Sequence, residues 1–218
     1  MPARSLLNAF LALLFPDRCG GCACLGDLLC QRCRASFQLY PRGADRLPVG
    51  LSDIWIAFVF SGPLREVVHQ PKYRSVRRLA QPLGALMAAS LTQHPFLADA
   101  VLPVPLHRDR YAERGFNQAE ELAREVARSL GLPLIASGLT RVRATEQQAR
   151  LDTQARAKNM HGAFCWQGAP PPRRVLLVDD VLTTGATMGA CAEALRGAGA
   201  ELITGLALAR SRPDQKSN

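Results

Sequence analysis

The segment VLLVDDVLTTGATM, residues 175 to 188, leaves little freedom in how the surrounding chain can fold. Four consecutive apolar residues, Val175, Leu176, Leu177 and Val178, predict a strand buried on both faces, the pattern of a parallel sheet covered by helices. The predicted strand, Val175 to Asp179, ends at Asp179 and Asp180, at the carboxyl edge where open α/β sheets hold ligands. Paired carboxylates there accept hydrogen bonds from the vicinal hydroxyls of a ribose, and either can support a magnesium shell. Thr183, Thr184, Gly185, Ala186 and Thr187 follow at once. They offer backbone amides, hydroxyls and a positive helix end to one phosphate, and Gly185 lets the backbone approach closely. No lysine follows the glycine, so the segment is not a Walker-type loop.

The helix after this turn is expected from about Thr184 to Ala198, and a second strand from Leu202 to Ala209 completes a βαβ unit. Further upstream, Ile54 to Phe60 and the apolar run 100 to 104 read as strands. Ser61 and Pro63 suit the start of a short helix, and Lys72 and Tyr73 fall in a loop or turn. Leu79, Leu83, Leu86, Met87 and Leu91 recur at helical spacing, with Pro82 expected to kink or start that helix. Asn117 and Glu120 form a capping-box pair for a helix closed by Gly131 and Pro133. Residues 137 to 160 show little apolar periodicity and read as a long mobile loop, a feature usually tied to function. Short strands alternating with helices place the chain in the α/β class, with a mainly parallel sheet.

Near the other end, Cys19, Cys22, Cys30 and Cys33 form two CxxC pairs, each able to direct two thiolates at one tetrahedral ion. Four thiolates leave no open position, so a zinc ion there is structural and folds a segment too small to fold alone. Cys24 either replaces Cys22 as a ligand or stays free. Cys191 shares a helical face with Met188 and Leu195 and reads as a buried thiol. The expected partition is an N-terminal helix with a double-zinc-ribbon-like four-cysteine module over residues 1–50, an α/β domain over 51–212 and a tail over 213–218.

The opening run MPARSLLNAFLALLF has the charge and apolar stretch of a signal peptide but no small-residue cleavage site, and it is too short to span a membrane. It is expected to be a helix that docks Leu6, Leu7, Phe10, Leu13 and Leu14 on the protein, with peripheral membrane contact as the alternative. A cytoplasmic, reducing location follows, and it favours metal-bound and buried thiols over disulfides. With 48% hydrophobic and 21% charged residues the chain is not disordered, while 27 basic against 18 acidic side chains give +9, a surface suited to phosphate-bearing ligands.

Taken with KY at 72–73, PVPLH at 103–107, RGFNQA at 114–119, the stretch from Arg141 to Phe164 and the cysteine module, VLLVDDVLTTGATM resembles the ComF family. That family comprises type I phosphoribosyltransferase-like proteins associated with competence and DNA uptake. The resemblance runs roughly from Cys19 to Arg210. It implies a type I phosphoribosyltransferase fold in which Val178, Asp179, Asp180, Val181, Thr183, Thr184, Gly185, Ala186 and Thr187 bind phosphoribosyl pyrophosphate (PRPP). Asp179 and Asp180 take the catalytic position at the ribose. It further implies a pyrophosphate site at Val104, Pro105, Leu106 and His107 with Lys72, and a flexible lid carrying Arg141, Arg143, Gln148, Arg150 and Arg156. Mg2+ would accompany PRPP, and Zn2+ would be structural. His107 is open to three readings: general acid, pyrophosphate contact or plain turn residue. Two functions stand side by side: transfer of phosphoribosyl to an unidentified nitrogen base, and a competence factor that binds single-stranded DNA with PRPP as a regulatory ligand. A homodimer and a partner in the competence machinery are further expectations of the resemblance.

Overall fold

The computed structural model describes residues 16–43, 47–69, 73–106, 111–112, 115–142 and 162–210. A four-stranded parallel sheet carries the fold, in the order β1-β6-β5-β2. Its strands are β1 (Asp53–Val59), β2 (Ala100–Pro103), β5 (Arg174–Leu182) and β6 (Leu202–Arg210). A separate two-stranded antiparallel ribbon joins β3 (Leu139–Arg141) to β4 (Phe164–Trp166). The helices are α1 (Gln31–Ala35), α2 (Gly62–Val68), α3 (Tyr73–Leu91), α4 (Gln118–Leu130) and α5 (Ala186–Gly197).

Strand alternation sorts the core into two clusters. In β5, Leu176 and Val178 join α2, α3 and α4, whereas Val175 and Leu177 join α5 and the β3–β4 ribbon. Cys19, Leu29 and Cys33 belong to the first cluster, so the cysteine segment shares a core with the sheet. All four of Val175 to Val178 are fully buried, as the continuous apolar run requires. On α5, Met188, Cys191 and Leu195 are also fully buried.

Several local expectations are refined. β5 continues past the acids to Leu182, because Asp179, Val181 and Leu182 still pair with Ala207, Ala209 and Arg210 of β6. Tyr73 is not in a turn but opens α3. Pro82 neither starts nor ends that helix. It lies inside it, since the buried face formed by Leu79, Leu83, Met87 and Leu91 continues through the proline and offsets the lost backbone bond. α3 and α4 cross closely at Gly84, where an added Cβ would lie 2.6 Å from the Glu125 Cβ. Asn117 caps α4 by accepting the Ala119 N–H at 3.1 Å, but the Glu120 carboxylate accepts from Arg124 rather than closing a capping box. Gly131 ends α4 in the left-handed conformation.

The stretch expected as loop from 137 begins instead as strand β3. Leu139 is buried, Gly138 sits against the Trp166 ring, and the Gln167 N–H reaches the Gly138 carbonyl at 2.8 Å. Three residues are too few for periodicity to reveal a strand whose partner lies more than twenty positions onward. No helix among the described residues is long and apolar enough to cross a membrane.

Candidate functional site

At the carboxyl edge of the sheet, β5 and its neighbour β2 open onto a cavity of about 290 Å3. Asp179, Asp180 and Val181 line it from β5, Val104, Pro105 and Leu106 from the segment after β2, and Thr187 from the first turn of α5. Two stretches far apart in sequence, 104–106 and 179–187, thus converge because β2 and β5 are hydrogen-bonded neighbours, Ala100 to Pro103 matching Val175 to Val178. Asn117, Gln118 and Ala119, at the start of α4, and Arg141 complete the lining.

The two carboxylates are half-buried. Each accepts the N–H of the following residue, Asp179 from Asp180 at 2.9 Å and Asp180 from Val181 at 2.7 Å. Burial, and then the adjacent Asp180 carboxylate, raise the Asp179 pKa well above the usual carboxylate range. Two like charges held together against burial are a natural seat for donors or a cation. The donor set, two hard carboxylate oxygens facing a cavity, fits Mg2+ chemically.

The turn after β5 is shaped by Gly185, whose φ of 80° places it in the left-handed region at the N-cap of α5. The Thr184 hydroxyl accepts the Ala186 N–H at 3.4 Å, so one hydroxyl of the turn braces the turn itself. Behind Gly185 lies Pro48: an added Cβ would meet the Pro48 Cγ at 2.6 Å. Of the residues predicted to bind phosphate, Thr187 lines the cavity, whereas Thr183, Thr184, Gly185 and Ala186 are not part of its lining and run between Thr187 and the end of β5, as Val178 lies within β5 behind it.

Arg141 is not part of a loop. It ends β3 and sets its guanidinium 5.5 Å over the Phe164 ring, where it walls the cavity from a fixed strand. Lys72, His107, Arg143, Gln148, Arg150 and Arg156 lie outside the described residues, as does the N-terminal segment 1–15. Asn117 and Gln118 are site residues that sequence pattern did not assign. The Asn117 amide donates to the Val104 carbonyl at 3.0 Å while its oxygen caps α4, so one side chain ties the segment after β2 to the helix start. The N-cap pattern gave Asn117 a local role; its contact with Val104 depends on the β2–α4 packing and has no local signal.

In the cysteine segment, the sulfurs of Cys19, Cys22, Cys24 and Cys30 all lie within 4.8 Å of one another. The Cys22 and Cys30 sulfurs are 3.6 Å apart, close to the edge of about 3.8 Å expected for a tetrahedron with Zn–S bonds of about 2.3 Å. Cys33, which the paired spacing puts among the ligands, is buried next to the group but is not one of these four. The four that meet thus include Cys24 where the paired CxxC spacing predicts Cys33. Cys24 joins the group without displacing Cys22, because Ala23 adopts a positive φ of 59° and the Cys19 N–H bonds the Cys24 carbonyl at 2.8 Å, curling the turn back on itself. Burial opposes ionisation of Cys19, but N–H groups of Cys30, Gly21 and Cys22 on its sulfur bring its pKa below the ordinary thiol value. Hydrogen bonds from the Cys24 backbone and side chain take Cys22 down to about 6, and the same contact with Cys22 pushes Cys24 up to about 12. Sulfurs that accept backbone N–H bonds are already arranged as thiolate ligands, which fits a zinc site.

Comparison with known proteins bears on most of the chain. The phosphoribosyl transferase domain family matches residues 112–217. "Competence protein F" of Haemophilus influenzae (strain ATCC 51907 / DSM 11121 / KW20 / Rd) is 32% identical over 194 residues, covering 84% of each chain. The chain belongs to the ComF family. Other ComF relatives include "DNA utilization protein YhgH" of Salmonella typhi, 34% identical over 200 residues and covering 89% of this chain and 83% of its own. The Escherichia coli (strain K12) protein of the same name is 32% identical over 157 residues, 70% of this chain and 69% of its own. Membership in this family and the parallel sheet with flanking helices establish the phosphoribosyltransferase fold, accompanied by a cysteine cluster able to hold zinc.

Proposed function

We propose that this ComF-family protein binds PRPP at the cavity between β2 and β5 and transfers its phosphoribosyl group to a nitrogen nucleophile. The observation that carries the reading is the convergence of Asp179, Asp180 and Thr187 with Val104 to Leu106 around one polar cavity. The carboxylates accept the two ribose hydroxyls, the amides of Thr183 to Thr187 donate to the 5-phosphate, and the segment from Val104 faces the pyrophosphate. In the reaction the nucleophile's lone pair forms a bond to C1 of the ribose, and the C1–O bond breaks with its electrons leaving on pyrophosphate. Asp179 and Asp180 supply the negative charge that suits an oxocarbenium-like transition state. Bound Mg2+ supplies charge neutralisation on the leaving pyrophosphate. Arg141, held by β3 at the cavity wall, adds a fixed positive charge without a lid movement.

Calorimetry with PRPP and Mg2+ tests the reading. The wild type is expected to bind and Asp179→Asn to bind at least about tenfold more weakly; equal binding by both would remove the assignment.

The relatives' names, which refer to competence and DNA utilization, favour a second reading in which single-stranded DNA is the physiological ligand and PRPP regulates. The candidate surface for it is a cleft of about 520 Å3 between the cysteine segment and α3 and α4, where Arg34, Arg78 and Arg128 stand with Asp17 and Asp27, Arg78 being paired with Asp17 and Arg128 with Glu125. DNA binding of this kind weakens steeply with salt. A salt titration that detects no single-strand binding at low ionic strength rejects it.

A further inference from the structure

A connecting segment that the sequence marks only as Pro- and Gly-bearing runs along the outside of α5. Its contacts follow one face of the helix. At the front, Pro48 abuts Gly185, where an added Cβ would meet the Pro48 Cγ at 2.6 Å and the Pro48 Cβ at 3.2 Å. One turn on, at Gly189, an added Cβ would lie 3.0 Å from the Val49 carbonyl oxygen. A further turn on, Gly50 lies against α5, where its own added Cβ would be 3.0 Å from the Glu193 nitrogen and 3.1 Å from the Ala192 Cβ. At the rear, the Arg196 guanidinium donates to the Gly50 carbonyl and to the Ser52 hydroxyl, and Ser52 in turn accepts the Ile203 N–H at 3.1 Å.

The strap is itself fixed. The Leu51 N–H returns to the Pro48 carbonyl at 3.3 Å across Val49 and Gly50, with Gly50 at φ 84°, the pattern of a turn that needs glycine at its third position. Ser52 extends into the sheet through its N–H to the Ile203 carbonyl at 2.8 Å. Pro48 is therefore held from behind by a turn, a guanidinium clamp and a strand, and its ring is the part that meets the N-cap of α5. Gly185 is a glycine on two counts: its φ of 80° and the ring pressed against it.

We infer that Pro48 is a positioning residue for the phosphate turn, acting through Gly185 to hold the amides of Thr183 to Thr187 in the shape that receives a 5-phosphate. This rests on the PRPP reading of the site. A rigid ring is well suited to such a role, because its fixed φ leaves it little freedom of its own and it fills the space into which Gly185 would otherwise relax. Pro48 meets α5 at Gly185 and Gly189, on either side of Thr187, which lines the cavity from α5, whereas the segment 104–106 lines the side next to β2. Its influence therefore falls on the phosphate end of the ligand rather than on the pyrophosphate end.

The test compares three ligands, PRPP, ribose 5-phosphate and inorganic pyrophosphate, by calorimetry with Mg2+ on the wild type, Pro48→Gly, Pro48→Ala and Pro48→Val. Removing the ring in Pro48→Gly is expected to weaken PRPP and ribose 5-phosphate by the same factor, about tenfold as for other supporting contacts behind a binding group, and to leave pyrophosphate within about twofold. Pro48→Val, which keeps the bulk, restores most of the loss. A general loss of fold would weaken all three ligands together and lower the melting temperature, so equal weakening overturns the inference. Unchanged PRPP binding in Pro48→Gly overturns it as well, whereas a wild type that binds none of the ligands overturns the PRPP reading instead.

Discussion

Replacing Gly185 with alanine should cost the fold two separable amounts. At φ 80° an L-residue pays about 1–2 kcal/mol for the left-handed conformation. The new methyl would sit 2.6 Å from the Pro48 Cγ and 3.2 Å from its Cβ, an overpacking that costs about 1–3 kcal/mol. The sum, about 2–5 kcal/mol, corresponds in a chain of this length to a melting temperature lower by about 4–20 °C. Urea unfolding of a double-mutant cycle with Pro48→Ala separates the two. Alanine at 48 removes the Cγ that makes the closer contact, so Gly185→Ala in that background should recover part of the packing cost and none of the conformational cost. The coupling energy is expected to be about 1 kcal/mol or more, with the double variant more stable than the sum of the single changes. Strictly additive changes would show that the ring and the glycine do not press on one another and would refute the reasoning.

At Asp179, burial and the Asp180 carboxylate raise the folded-state pKa above the unfolded value. The folded protein therefore holds that proton more tightly. Its contribution to stability is complete below the unfolded carboxylate range of about pH 4 and is lost as pH rises through the folded pKa. Asp179→Asn should accordingly gain stability over the ligand-free wild type as pH is raised from 4 to 8, while losing PRPP binding; parallel melting curves across that range would contradict the stated cause. In the cysteine segment, single serine variants of Cys19, Cys22 and Cys30 should each lower zinc content measured by metal analysis. Comparing Cys24→Ser with Cys33→Ser identifies the fourth ligand, and full zinc retention in all five variants would rule out the cluster as the site. Gly84→Ala is expected to destabilise by about 1–3 kcal/mol, since its methyl would lie 2.6 Å from the Glu125 Cβ and force α3 away from α4; a change under about 0.5 kcal/mol in chemical unfolding would show that the crossing yields. Asn117→Ala should cost about 1–2 kcal/mol in the same assay, through the lost cap and the unpaired Val104 carbonyl, and Asn117→Asp should recover the cap but not the bond to Val104.

The parts of this molecule that could be read from the chain are those whose cause is local or repeats along it. Val175 to Val178 announce a strand buried on both faces because four apolar residues in succession have no solvent-facing member, and Met188, Cys191 and Leu195 announce the inner face of α5 because their spacing matches its turn. Asn117 and Gly131 mark the ends of α4 through the dihedrals and bonds that those residue types favour. What could not be read depends on contacts between distant segments. β3 is three residues long and exists because β4 lies opposite it, so Arg141 reads as loop until Phe164 is placed beneath it. Glu120 satisfies the capping-box spacing, yet Arg124 one turn onward competes for its carboxylate and takes it. Cys24 joins the thiol group through a positive φ at Ala23, which no spacing rule for paired cysteines anticipates. The site divides in the same way. Asp179, Asp180 and the turn to Thr187 form one continuous stretch that carries its own chemistry, whereas Val104, Asn117 and Pro48 acquire their roles only when the sheet order sets β2 beside β5 and the strap beside α5. The turn proposed to receive a phosphate is therefore one short stretch of sequence. The residues that hold it in shape are recognised from the packing around it, and Pro48 against Gly185 is the contact at which the two meet.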